Sequence, residues 1–239
     1  CGRYFAMDNR MRWERTARAF TMLVHSEGER SNDAVGSIRN SFLRGIADEF
    51  IAPIVLESEP GVPVARISNG DTVIFFNHRP DGMQQLVRSL CLPDATGAVK
   101  PVVNTVCLTE YDRDFGLPVA FASVPAANVL TDVLTSYRIP SVKISQSERF
   151  PHVTFFFNGG ETQASNEQHI LVPTPRSETA ELQPESQSFK ITDRFLRSAE
   201  STTGAVFVVN LPAADLAAET GKLDKTIDAV QYVDTCIGG

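Results

Sequence analysis

Two short apolar runs with a helical period between them constrain this chain most. Thr72-Val73-Ile74-Phe75-Phe76-Asn77 follows the turn signal Asn69-Gly70-Asp71. The run is continuous rather than alternating, which suits a strand buried on both faces. Met83, Leu86, Val87 and Leu90 then recur at helical spacing. Val102 to Leu108 is a second apolar run, closing in Thr109-Glu110-Tyr111-Asp112. Strand, helix, strand is the rhythm of an α/β sheet. Ligands of such sheets lie beyond the carboxyl ends of the strands. Arg79 and the acidic stretch Glu110–Asp114 stand at such ends.

The rhythm recurs later in the chain. Gly116-Leu117-Pro118 to Val124-Pro125 reads as a linker. After it, Val129, Leu130, Val133, Leu134 and Tyr137 form one apolar helix face, and Val142-Lys143-Ile144 a strand. Val153 to Phe157 reads as another strand, closed by the turn Asn158-Gly159-Gly160. Residues 161–188 are polar and Pro-bearing and are expected to make a long surface excursion. Thr192 is placed to cap a helix over 193–200. Ala205 to Val209 reads as a strand, Asn210 to Gly221 as a loop, and Ile227, Val230, Val233 and Ile237 mark a last helix. Nearer the start, Trp13, Ala17, Phe20 and Leu23 predict an amphipathic helix over 11–25, with Trp13 turned inward. Residues 26–39 read as a loop, and the chain from Asp48 to Pro63 as extended and Pro-punctuated.

The densest chemistry is at the start. Gly2-Arg3-Tyr4-Phe5-Ala6-Met7-Asp8, with Arg10, Arg12-Trp13-Glu14-Arg15, places four arginines and two acids within fourteen residues. A guanidinium is a planar fork of donors suited to carboxylates and phosphates. The stretch is therefore either an anion site or a salt-bridged helix start, and the residues alone leave both open.

At 239 residues the chain can form one large or two small domains. The net charge of -7 excludes a nucleic-acid surface as its main business. No apolar run reaches the ~20 residues a membrane-spanning helix needs. Cys1, Cys91, Cys107 and Cys236 show no metal-ligand spacing, so buried free thiols and a reducing, intracellular compartment are expected. The chain begins at Cys rather than Met, as a processed protein, a fragment or part of something longer would.

Several motifs, in order along the chain, carry a resemblance. They are GRYFAMD with RWER, Asp48-Glu49-Phe50, FFNHRPD, RFPHVTFFFNGG over residues 149–160, Leu182-Gln183-Pro184-Glu185, and the loop from Asp215 to Thr220-Gly221. Together they resemble cofactor-independent (2,3-bisphosphoglycerate-independent) phosphoglycerate mutase, an isomerase of glycolysis in the alkaline phosphatase superfamily. The resemblance implies an α/β fold: part of an inserted phosphoglycerate-binding-like domain over 1–117, a linker over 118–126, and part of a phosphatase-like domain over 127–239. It implies substrate-binding roles for Arg3, Arg79 and Arg149. The family's next substrate arginine falls on Asn9, the companion of Arg79 falls on Gly82, and its lysine falls on Arg149. Asp215 matches a manganese ligand, while the histidine four residues on is Glu219. His152 matches the histidine that opens the HVTFFFNGG strand. The serine nucleophile and most metal ligands match nothing between residues 1 and 239.

Two functions lead from this reading, ahead of a third in which the chain senses or binds a phosphorylated metabolite without turnover. The first is a degenerate, non-catalytic relative that serves as a structural or interaction subunit of a larger assembly, with other protein subunits as partners, no catalytic residue and no cofactor. The second is a portion of an active mutase that interconverts 3- and 2-phosphoglycerate. Its nucleophile and remaining ligands would lie elsewhere, manganese would bind at Asp215 and Glu219, and Arg3, Arg79 and Arg149 would hold phosphoglycerate.

Overall fold

One carboxylate assembles the opening stretch. In the computed structural model, which describes residues 1–93, 99–124, 126–161, 164–174 and 184–239, Asp8 is buried and accepts from the backbone N–H of Arg10 (3.1 Å) and Arg12 (2.9 Å). It also accepts from Gln85 Nε2 at 2.8 Å and Arg15 Nη1 at 3.4 Å. These bonds turn the chain from α1 (Arg3–Ala6) into α2 (Trp13–His25). The Arg15 guanidinium lies 3.6 Å over the Tyr4 ring, and that of Arg18 lies 4.6 Å over Phe5. Arg15, of the dense stretch, thus acts as an aromatic cover and as a side-chain partner of Asp8. Gly2 fits where no other residue would: its N–H donates to Ile51 O at 2.7 Å, and a Cβ would stand 2.0 Å from Glu49 O.

The described residues fall into two units, Cys1–Ser123 and Val124–Gly239. In the first, β1 (Glu29–Ser31), β2 (Ile54–Glu59) and β3 (Val62–Pro63) form a small sheet in that order, with β1 and β2 parallel. A second sheet, β4 (Thr72–Phe75), β5 (Asn104–Thr109) and β6 (Val119–Phe121), is wholly parallel. Helix α4 (Gln84–Cys91) connects β4 to β5, as the strand–helix–strand rhythm requires. Its Leu86, Val87 and Leu90 meet Phe75, Cys107, Phe5 and Ala19 in the core.

The structure departs from several of these expectations. β4 is buried on one face only: Phe75 is inside, whereas Ile74 is 63% exposed. Helix α2 turns Thr16, Ala19 and Val24 inward and leaves Trp13 and Ala17 exposed, because the Asp8 bonds fix its rotation. Residues 26–39 are not a loop: they hold β1 and the start of α3 (Ala34–Leu43), whose N-cap Asp33 accepts from Val35 N at 3.0 Å. Asp48–Phe50 closes a single 3₁₀ turn. β6 lies within the stretch expected as a linker, paired in register through Cys107↔Val119.

Tyr111 closes this core. Its buried hydroxyl lies 2.9 Å from Phe75 O and 2.7 Å from Asn77 O, at the end of β4. Tyr111→Phe is expected to lower the stability of the first unit by about 1–2 kcal/mol, measured by urea denaturation, since it removes the one O–H donor that Phe75 O and Asn77 O share.

In the second unit the sheet order is β8-β7-β9, all parallel: β8 is Glu167–Val172, β7 Ser141–Gln146 and β9 Val206–Val209. Every residue of β7 is buried. Helices α5 (Leu130–Ser136), α6 (Phe150–Val153), α7 (Pro184–Ser201), α8 (Ala213–Ala218) and α9 (Leu223–Gly238) complete it. Val142, Ile144 and Val172 pack on Ile191 of α7.

Here too the sequence reading needs correction. β8 falls inside the expected surface excursion. The Val153–Phe157 run is no strand; it leaves α6 through a series of turns. His152 therefore stands in a helical turn, tilted against Phe156 with centroids 5.4 Å apart. Thr192 is mid-helix and donates to Ser188 O, so it caps nothing. α8 occupies the expected loop over 210–221. On α5, Thr131 and Leu134 are buried while Leu130, Val133 and Tyr137 are exposed. Leu182 and Gln183 of one family-like motif lie outside the described residues. The four cysteines are free, and only Cys107 is fully buried. Among the described residues no helix is long and apolar enough to cross a membrane.

Candidate functional site

β7 and β9 are parallel neighbours in register through Ile144↔Val209, so they leave the sheet at the same edge. Asn210 N–H donates to Ile144 O at 3.0 Å and ties the two exits together. From β7 the chain enters the 3₁₀ turn Ser147–Arg149. From β9 it enters α8, which carries Asp215 in its first turn and Glu219 at its C-cap. The two carboxylates are four residues apart, hence on one face.

Arg149 reaches both. Its Nε lies 2.6 Å from Asp215 Oδ2 and its Nη2 lies 2.5 Å from Glu219 Oε1. The Arg149 side chain is 9% exposed, whereas those of Asp215 and Glu219 are 62% and 48% exposed. Burial works against the charged guanidinium, but the contacts with Asp215 and Glu219 outweigh it and raise its pKa. The structure thus brings together three of the five residues singled out from sequence, at the carboxyl end of a parallel sheet.

Arg3 and Arg79 lie in the first unit. Arg3 pairs with Asp48 at 3.4 Å and Glu49 at 3.0 Å. Arg79 holds Asp81 through both prongs of its fork, at 3.1 and 2.7 Å, on an exposed loop. Asn9 is exposed. A Cβ on Gly82 would meet Met7 at 3.0–3.3 Å, so a longer side chain there would have to move Met7.

A further charged cluster was missed by sequence reasoning. Lys143, on β7, is fully buried, with Nζ 3.4 Å from Glu167 Oε1 and 3.8 Å from the Phe157 ring centroid. Glu167 Oε2 accepts from Asn158 Nδ2 (3.0 Å) and Ala164 N (3.1 Å) and stands 3.2 Å from His169 Nε2. Thr131 Oγ1 donates to Asn158 Oδ1 at 2.7 Å. A lysine between Val142 and Ile144 in a strand buried on both faces was the available signal.

Fold and site define an α/β protein with parallel sheets and a charged cluster where two strands end. Residues 1–113 match the family model described as the BPG-independent PGAM N-terminus. The 2,3-bisphosphoglycerate-independent phosphoglycerate mutase of Desulforudis audaxviator is 39% identical over 242 residues, covering 99% of this chain and 47% of the relative. That of Methanococcoides burtonii is 38% identical with the same coverage. A crystal structure of Leishmania mexicana phosphoglycerate mutase at low cobalt concentration superposes with a TM-score of 0.87 at 25% identity, covering 99% of this chain and 45% of that one. The chain is similar in sequence and fold to 2,3-bisphosphoglycerate-independent phosphoglycerate mutases, and it spans about half the length of the curated relatives it matches.

Proposed function

We propose that this chain is a phosphoglycerate-mutase-like protein that does not itself turn over phosphoglycerate and that serves as a structural or interaction subunit. The first unit corresponds to the substrate-binding-like domain and the second to the phosphatase-like domain. One observation carries the reading. Each arginine with an expected substrate role is already held by carboxylates of this chain: Arg3 by Asp48 and Glu49, Arg79 by Asp81, Arg149 by Asp215 and Glu219. A phosphorylated acid would have to displace those carboxylates, and the net charge of -7 opposes its approach. The partner half of the reading is supported by a stripe on α9. Leu223, Ile227, Val230 and Ile237 recur at spacings that keep them on one side of the helix, and all are exposed.

The alternative, a portion of an active manganese-dependent mutase, is favoured by identity that extends over 99% of the chain. Titration calorimetry of the full chain with 3-phosphoglycerate, with and without Mn²⁺, separates the two. The proposal expects no binding tighter than about 1 mM, and no change on Arg79→Ala. Saturable binding that Arg79→Ala abolishes, or conversion of 3- to 2-phosphoglycerate, overturns it.

A further inference from the structure

The kinship raises the expectation of manganese at Asp215 and Glu219, and the residues present do not fit it. A divalent cation on these side chains would need carboxylate oxygens free to coordinate, with further hard ligands beside them. One oxygen of each carboxylate is instead engaged by the same guanidinium, at 2.6 and 2.5 Å. Among the described residues, no group of three or more His, Cys, Asp or Glu side chains is gathered where an ion could be held.

We infer that the Arg149 guanidinium is the resident counter-charge of the Asp215–Glu219 pair and keeps divalent cations off those carboxylates. Three features support this. The fork is planar, so its Nε and Nη2 can serve two acids at once, which a lysine ammonium on the same stem cannot do with fixed geometry. The group is nearly buried while its partners are exposed, so the cation belongs to the body of the unit and the carboxylates fold down upon it. The backbone places it there independently of the ion pair: the 3₁₀ turn after β7 and the helix after β9 both begin at one sheet edge. With the guanidinium counted, the triad carries a net charge of -1 rather than -2, which weakens the attraction for a divalent ion.

Paramagnetic broadening by Mn²⁺ tests it on the full ¹⁵N-labelled chain. In Arg149→Gln, the amide signals of residues 213–221 are expected to broaden at about tenfold lower Mn²⁺ than in the wild type, because removing one adjacent positive charge costs the wild type's protection. Arg149→Lys keeps the buried charge without the fork. It is expected to shift the same signals in the same direction by a smaller factor, and it decides the matter if the glutamine variant fails to fold. Broadening of residues 213–221 at equal Mn²⁺ in wild type and variant overturns the inference, as does wild-type broadening that precedes the variant's. Neither result depends on phosphoglycerate, so this inference and the non-catalytic reading fail separately.

Discussion

Glu167→Ala is expected to destabilise the second unit by about 3–5 kcal/mol, the cost of breaking a buried ion pair from one side. Glu167 has no exposed side-chain surface, and neither does Lys143. Removing the carboxylate leaves the ammonium, among the described residues, against the Phe157 ring, and takes from Asn158 Nδ2 and Ala164 N their Glu167 acceptor. These groups come from β7, β8 and the turns before β8, so the damage reaches the centre of the β8-β7-β9 sheet. Hydrogen exchange of β7 amides reads it directly. Loss of protection in β7 with the first unit unaffected is the expected pattern; unchanged protection would mean the network is not held as described.

The same network fixes a pH dependence. Burial alone would raise the Glu167 pKa, but the Ala164 N–H, His169, Asn158 and the Lys143 charge outweigh it, so the folded-state value is lowered. Its contribution to stability is therefore fully present above the ordinary carboxylate range and is lost as pH falls through the folded-state value. Lys143 moves oppositely in effect. Burial lowers its pKa despite the Glu167 contact, so its charge costs stability at neutral pH, and the cost disappears as pH rises above the ordinary lysine value. Glu167→Gln should remove its share of the acid-side loss in a denaturation series run against pH.

Asp8→Ala is the second large effect, about 3 kcal/mol in the first unit. The substitution deletes the acceptor of two backbone N–H groups, of Gln85 Nε2 and of the nearly buried Arg15. Arg15 would then keep only its stacking on Tyr4 among the contacts described here, and the turn from α1 into α2 would lose its fixed point. Asp8→Asn, which retains an acceptor oxygen, should cost less. Urea denaturation of the two variants gives the comparison. Equal losses would show that the charge of Asp8, rather than its acceptor geometry, is what matters.

Much of the architecture was legible where apolar period and length agree. The strand–helix–strand unit around α4 and the strands at 141–146 and 206–209 follow from short apolar runs, and the last helix from its apolar period, although Ile227, Val230 and Ile237 on it stay exposed. Several of the failures share a cause: polar residues buried in networks do not read as strand or core. β8 contains Glu167 and His169, so it looks like surface, yet Glu167 faces the one lysine inside the sheet. Arg15 and Asp8 were read as parts of a charged surface or ligand site, and they are inside. Phe155, Phe156 and Phe157 mimic a strand because three aromatics in a row satisfy an apolar count, while Asn158 and Gly159 (φ +69°) belong to turns. The site was legible differently. Family motifs named Arg149, Asp215 and Glu219 one by one, but nothing in the sequence said that the first would reach the other two. That needed the register Ile144↔Val209, which sends two strands out side by side.

Native mass spectrometry of the material isolated from its source, with manganese and phosphoglycerate added, tests the central claim most directly. The account predicts a fixed-stoichiometry assembly with other subunits and no mass added by either ligand. A species that takes up two manganese ions, whether with a second mutase-like polypeptide or as part of a longer chain, would contradict it.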